Sequence, residues 1–355
     1  MLRVLCHCIE RDIDLAENKR FWVGFDLGGT KMQAVVCDDR MRPLLRKRKK
    51  TKGTDGAKSG LDRIADIIEK SVMELGGTNA DIAAIGIGCP GPVEWEKGIV
   101  RIAVNLGWEN TPVAEFLSEH FGCPVHVLND VDAGVYGEYR FGAGLGSRCS
   151  VGIFPGTGIG GGCVYDGTIL RGKLLTCMEV GHIRISGSTR STGIEMSGTL
   201  ESEASRLTIA AECAKLAIRG EAPYLLKTAG ADLTKIRSKT IAEAIENGDV
   251  AVERLVRQTA HQIGIAVVNL VHLIAPDTII LGGGVVEALP TLILEEVEKT
   301  TKRYVLDCYK DQFKIEKAKL GDDAGALGAA AWAAHLHPDF ELTSSDVQER
   351  STDTN

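Results

Sequence analysis

The 355-residue sequence lacks a Cys-x-x-Cys pair, an apolar run near the roughly 20 residues that cross a bilayer, and any excess of positive charge. Each absence closes off a class. Its ten cysteines (Cys6, Cys8, Cys37, Cys89, Cys123, Cys149, Cys163, Cys177, Cys213, Cys308) are scattered, mostly inside apolar runs, as buried free thiols of a reducing compartment are, which argues against a disulfide framework. Cys6-His7-Cys8 could be half a metal site, but it has no partners at zinc spacing and reads as part of a loose extension. The net charge is −7, with acids spread along the chain, and aromatics make up only 5%, so neither the basic footprint nor the stacking rings of a nucleic-acid binder are present. The one basic run, Arg46 to Lys52, reads as a solvated strand end. The short apolar start runs into Arg11, Asp12 and Asp14 without a signal-peptide core, so a cytoplasmic protein with neither membrane nor nucleic acid as partner is expected. No GxxxxGK[ST] loop occurs either, which removes the commonest phosphate cradle.

What is there is an α/β pattern long enough for two domains and a cleft. Residues 1–20 are charged and lack a turn signal, and read as an extension before the first strand at Phe21 to Phe25. From about His337 the chain turns polar and is expected to be disordered. Leu61, Ile64, Ile67, Ile68, Val72 and Leu75 share one helical face, which Gly76-Gly77 ends before a buried strand over Ala83 to Gly88. Val252, Leu255, Val256, Ile263, Val267, Leu270, Val271 and Ile274 mark a longer helix, ended by Pro276, with a strand from Thr278 to Leu281 directly after it.

The informative feature is a repeat. Trp22 to Val36 is an apolar strand, a glycine turn and a returning apolar strand, and Ser150 to Val164 follows the same plan, with Gly and Thr paired in both turns. Such a duplication implies two related domains, each presenting a hairpin of backbone N–H groups that could clasp a polyphosphate. In the first turn, Asp26-Leu-Gly-Gly-Thr-Lys31, Gly28 and Gly29 let the backbone approach phosphate, Thr30 adds a hydroxyl, Lys31 a cation, and Asp26 would position hydrated Mg²⁺. Alone it reads equally well as a plain hairpin; the second turn, Gly156-Thr157-Gly158 through Gly162, favours phosphate. Gly282-Gly283-Gly284 follows a strand end, where ligands of α/β sheets sit, and is assigned to adenosine. Gly321 to Trp332 places small residues along a helix and reads mainly as close packing against a sheet.

Together these segments resemble the ROK family, whose kinase members are similar to bacterial glucokinases. The resemblance runs from about Val23 to Ala334 and is carried by Asp26-Leu-Gly-Gly-Thr-Lys31, Gly88-Cys-Pro-Gly-Pro-Val93, Asn105-Leu-Gly-Trp108, Asn129-Asp130, Gly156-Thr-Gly-Ile-Gly-Gly-Gly162, Glu179-Val-Gly-His182, Leu281-Gly-Gly-Gly284 and Asp322-Asp-Ala-Gly-Ala-Leu-Gly328. It implies an actin-like, ribonuclease H-like α/β fold with a small domain over 21–130 and a large one over 131–336, helix 322–335 being able to pack back on the first. It further implies ATP with Mg²⁺ across the cleft, a hexose as the small-molecule partner, and a homodimer.

An Asp ahead of a helix is ordinarily an N-cap. The resemblance implies instead that Asp130 is the general base that takes the proton of the sugar hydroxyl, with Asn105, Asn129, Glu179, His182 and Glu201 as sugar ligands; on its own, the Glu179/His182 pair is only polar residues on a turn. One departure stands out. Many ROK proteins follow the Gly-His pair with CxCGxxGCxE, which holds a structural zinc, whereas this chain has Thr189 to Glu201 without a cysteine. A lone His cannot hold tetrahedral Zn²⁺, so no zinc is expected, and Glu195 is a conceivable loop-internal partner for Arg184 or Arg190. The expected reaction is ATP-dependent phosphorylation of glucose, with fructose, mannose, allose, N-acetylglucosamine and N-acetylmannosamine as other acceptors and polyphosphate as another donor. Two rivals are a binding module without catalysis and a DNA-binding repressor, for whose helix-turn-helix the roughly 20 residues before the first strand leave no room.

Overall fold

The computed structural model describes residues 20–52, 55–175, 177–188, 190 and 196–340. The extension before Arg20, Glu195 and the tail beyond Phe340 lie outside the described residues. Packing divides the chain into two compact units, one running to Ala133 and resuming at Ala326, the other Gly134–Gly325. Among the described residues no helix is long and apolar enough to cross a membrane.

In the first unit the chain forms β1 (Phe21–Leu27), β2 (Lys31–Cys37), β3 (Pro43–Lys50), α1 (Gly56–Glu74), β4 (Ile82–Cys89), a three-stranded sheet of β5 (Val93–Glu94), β6 (Ile99–Ala103) and β7 (Trp108–Pro112), then α2 (Val113–Phe121) and β8 (Val125–Asn129). Helix α3 (Asp130–Phe141) leads into the second unit, which holds β9 (Cys149–Pro155), β10 (Ile159–Tyr165), β11 (Thr168–Ile169), α4 (Leu200–Ala204), α5 (Arg206–Ile218), α6 (Pro223–Thr228), α7 (Ser238–Glu246), α8 (Val250–Ile274), β12 (Thr278–Leu281), α9 (Gly284–Ala288), α10 (Pro290–Tyr304) and β13 (Lys314–Lys317). Helix α11 (Ala324–His335) returns to the first unit.

The internal repeat is visible in the sheets. The first has strand order β3-β2-β1-β4-β8 and the second β11-β10-β9-β12-β13. In both, the glycine hairpin is antiparallel, its return strand pairs with a further antiparallel strand, and its leading strand pairs in parallel with a strand that arrives after a helix. The two helical stripes seen in the sequence are the buried faces of α1 and α8. Gly76 ends α1 in the left-handed region (φ 69°), and a Cβ on Gly77 would lie 2.4 Å from the Phe21 ring. Ala275 closes α8 with φ 45°, one residue before Pro276.

The small-residue helix packs as its composition predicts. A Cβ on Gly24 would fall 1.8 Å from Ala326 O, and one on Gly86 1.8 Å from Ala329 O, so α11 rests directly on β1 and β4. Its continuation departs from the expected tail: His337 and Phe340 meet the buried Trp22 ring edge-on at 5.2 and 4.8 Å, while the Trp22 indole N–H donates to Asp39 at 2.9 Å. An aromatic pair in a polar segment is what a composition count over 337–355 overlooks.

Any side chain at Gly86 must displace helix backbone. Gly86→Ala is therefore expected to destabilise the protein by about 3 kcal/mol or more, the upper range for overpacking, read as a lowered thermal midpoint and reduced soluble yield.

Candidate active site

Strand register sets the first cluster. Asp26 pairs with Gly88 across β1 and β4, Gly88 with Leu128 across β4 and β8, and Cys89 with Asn129 one step on, so three parallel strands end level. Such carboxyl ends are where α/β sheets place ligands. The turn after β1 is held through its carbonyls: Thr51 donates its hydroxyl to Gly28 O at 2.6 Å and its N–H to Thr30 O at 3.0 Å, and Arg63 in turn donates to Thr51 O. The Gly28 N–H donates to Lys31 O at 2.9 Å. Among the described residues, the N–H groups of Gly29 and Thr30 meet no acceptor. Asn105 lies against this turn, its Cβ 3.2 Å from where a Cβ on Gly29 would stand. Lys31 and Asn105 are both exposed.

The helix after β8 begins at Asp130, with Asn129 as its cap. Asn129 Oδ1 accepts from Val131 N at 2.9 Å and Asp132 N at 3.3 Å, and its Nδ2 donates to Gly91 O at 3.2 Å. Asp130 Oδ1 also accepts from Val131 N, at 3.0 Å. The cap expected of an Asp in this position is thus made mainly by its neighbour. Gly88 lies under the first turn of α3, where a Cβ would be 3.4 Å from Asp130 Cα. Nearby is the buried Cys89, whose thiol is pushed far up by burial first, then by the negative charges of Asp130 and Asp26. It stays a neutral thiol, and Asp26 and Asp130 share its surroundings.

The second cluster forms in the other unit, around the turn between β9 and β10. Gly156 N donates to Gly158 O at 2.7 Å, and Ile159 N donates to Glu201 Oε2 at 2.9 Å. Among the described residues, the N–H groups of Thr157 and Gly158 meet no acceptor, the same arrangement as in the first turn. Glu201, expected on a sugar, therefore has one carboxylate oxygen committed to the hairpin; a Cβ on Gly158 would stand 2.3 Å from it. Glu179 and His182 lie on a short turn pressed onto β10, where a Cβ on Gly181 would be 2.2 Å from Ile159 O. His182 Nε2 is 3.9 Å from Glu179 Oε2, and its buried Nδ1 has no hydrogen-bond partner among the described residues.

The Gly282–Gly284 turn divides its duties. Gly283 (φ 84°) and Gly282 pack on Pro155 and Phe154, while Gly284 faces a groove of about 650 Å³ that also has Gly156, Arg206 and Arg237 on its walls. Arg206 went unnoticed in the sequence. Its N–H donates to Gly156 O at 3.0 Å and its Nη2 to Thr157 Oγ1 at 3.1 Å. The only local signal is Ser205, the N-cap of α5, which fixes Arg206 as the first helical residue.

After His182 the described part of the loop is closed by backbone pairing. Arg184 bridges Thr199, and Ile185 N and Ser186 N donate to Gly198 O at 2.9 and 3.2 Å. Arg190 forms a 3.0 Å ion pair with Glu203. Among the described residues no three His, Cys, Asp or Glu side chains converge to hold a metal.

Asp26, Gly28–Lys31, Asn105, Asn129 and Asp130 thus lie in one unit, and Gly156–Gly158, Glu179, His182, Glu201 and Gly282–Gly284 in the other. The chain is 31% identical over 315 residues to the glucokinase of Halalkalibacterium halodurans, covering 87% of this chain and 93% of that one. It is 28% identical to the xylose repressor of Caldicellulosiruptor bescii, over 87% of this chain and 77% of the repressor. Among solved structures, a ROK family glucokinase from Streptomyces griseus in complex with glucose and AMPPNP superposes with a TM-score of 0.74 at 30% identity, covering 89% of this chain and 99% of that one, and its two-domain actin-like architecture is the fold of this chain. The model of the ROK family matches residues 22–335, and the chain belongs to that family.

Proposed function

We propose that the protein is an ATP-dependent hexose kinase, with glucose the foremost substrate and Asp130 the general base. The observation that carries this is the pair of glycine turns, each offering two adjacent N–H groups that meet no acceptor among the described residues, combined with a strand edge that bears two carboxylates. A binding protein for neutral sugar has no use for two phosphate cradles, and a repressor has no use for a base. The similarity to glucokinases supports the choice of glucose.

Phosphoryl transfer depends on positioning and charge stabilisation more than on covalent chemistry. Mg-ATP supplies the transferred phosphoryl group and a metal charge on it, and Asp26 fits as the outer carboxylate that orients the hydrated ion. The Gly29, Thr30, Thr157 and Gly158 N–H groups donate to phosphate oxygens, and Lys31 adds a cation. Asp130 accepts the proton of the sugar hydroxyl as that oxygen attacks the γ-phosphorus and ADP departs. Asn105, Asn129, Glu179, His182 and the second oxygen of Glu201 hold the remaining hydroxyls. An epimer that leaves one of these unpaired forfeits about 1–3 kcal/mol, which is the source of choice among hexoses. The described part of the loop at 183–201 is held by its backbone bridge and the Arg190–Glu203 pair, and the proposal calls for no zinc there. A cytoplasmic homodimer is the setting that fits the composition and the family.

Asp130→Asn should lower kcat at least about 10²-fold in a coupled ADP-release assay while the thermal midpoint stays in place; full activity would end the assignment of the base. A panel of hexoses with ATP and with polyphosphate should show turnover highest with glucose and ATP, and no turnover with any sugar would restore the binding-module reading. Asn129→Ala should cost about 1 kcal/mol of stability through the lost cap and raise the KM for sugar as well, since one side chain serves both. Metal analysis of active protein should find no stoichiometric zinc; one zinc per chain would refute the account of the loop.

A further inference from the structure

The groove beside the second glycine turn has an unusual charge balance for an acidic protein. Its walls include Gly156, Arg206, Leu207, Leu233, Arg237 and Lys239, and no carboxylate lines it. Several arginines outside this groove are matched: Arg63 with Asp55, Arg148 with Asp166 and Arg257 with Glu253 are each paired at 2.8 Å. Among the described residues, neither Arg206 nor Arg237 has a carboxylate within 4.0 Å. Two guanidiniums on one groove without counter-charge are a site for an anion, and planar guanidiniums match phosphate oxygens two at a time.

The hydrogen bonds aim the two arginines. Arg206 is anchored at the start of α5 and uses one of its five side-chain N–H groups on Thr157, so the others remain beside the turn whose Thr157 and Gly158 N–H groups have no acceptor. Arg237 spends its Nε on Thr234 O at 3.0 Å and, among the described residues, keeps both terminal nitrogens. Leu207 and Leu233, 48% and 43% exposed, supply apolar surface on the same groove. A phosphate chain with an apolar, aromatic end matches this set better than an inorganic chain, which leaves the leucines without a partner.

We propose that Arg206 and Arg237 bind the phosphate chain of the nucleotide donor, with Arg206 on the outer phosphates next to the Thr157 turn and Leu207 and Leu233 against the nucleoside. This rests on the kinase assignment and adds to it the residues by which the donor's phosphates are counted. Arg206 thereby couples the second hairpin to the donor: the guanidinium that holds Thr157 also neutralises what Thr157 and Gly158 bind.

The test is calorimetric binding of ATP, ADP, AMP and inorganic tripolyphosphate to the full-length protein, to Arg206→Met, which keeps most of the aliphatic stem, to Arg206→Lys and to Arg237→Met. Arg206→Met is expected to weaken ATP at least about tenfold, ADP less and AMP under about twofold, with partial recovery in Arg206→Lys. Arg237→Met should show the same grading by phosphate number, and tripolyphosphate should bind the wild type more weakly than ATP. Equal loss for AMP and ATP in both Met variants would mean the arginines only prop the fold, and unchanged ATP binding would mean they do not touch the phosphates; either result overturns the proposal. Tripolyphosphate binding as tight as ATP would overturn the role of the leucines. If the wild type binds no nucleotide at all, the kinase assignment itself falls, an outcome distinct from normal binding with insensitive variants.

Discussion

The carboxyl ends of β1, β4 and β8 finish level because Asp26, Gly88 and Leu128 share one register, and the chemistry assigned to the first unit depends on that alignment. Side chains alternate along a strand, so a slip of one residue would exchange the faces and carry Asp26 away from the edge. The register is in turn tied to glycine. Gly24 and Gly86 allow the backbone of α11 to rest on β1 and β4, and Gly88 allows the first turn of α3 to settle over the end of β4. Cys89 records the result, since its raised pKa has both Asp130 and Asp26 among its causes.

The two units answer the same problem with different side chains. A turn that offers bare N–H groups to an anion gives up the bonds that would normally stiffen it, so it must be held by its carbonyls or from its flanks. In the first unit Thr51 binds both carbonyls and is itself held by Arg63. In the second, Arg206 binds the Gly156 carbonyl and the Thr157 hydroxyl, and Glu201 binds the N–H that follows the turn. Strand order is duplicated, while the supports are not. This is why only the glycines and threonines of the repeat resemble each other in sequence.

Much of the fold was legible for reasons of period and punctuation. The stripes of α1 and α8, the Gly76 stop and the Pro276 boundary are local features, and local features survive folding unchanged. The small-residue helix was legible as a packing element, although nothing local names Gly24 and Gly86, the glycines it meets far earlier in the chain. The supports of the turns escaped for the same reason: Thr51 and Arg206 are ordinary residues whose importance comes from a partner far along the sequence. His337 and Phe340 were masked by polar neighbours, because two rings docked on Trp22 weigh little in a composition. An Asn-Asp pair ahead of a helix offers two caps, and geometry alone decides between them.

That decision bears on the chemistry. Asn129 has two lone-pair directions on its carbonyl oxygen and two N–H groups. The cap takes the oxygen twice and Gly91 takes one N–H, which leaves a single donor. Asn129 can therefore give a hydrogen bond to a sugar oxygen but cannot receive one. Glu201 has likewise committed Oε2 to Ile159. A hydroxyl that is to lose its proton needs an acceptor, and the start of α3 carries two carboxylates, the half-buried Asp130 and the buried Asp132, of which Asp130 is the more accessible. Asn129 supplies most of the cap on α3, and the base proposed at Asp130 shares it through one further bond, from Val131 N.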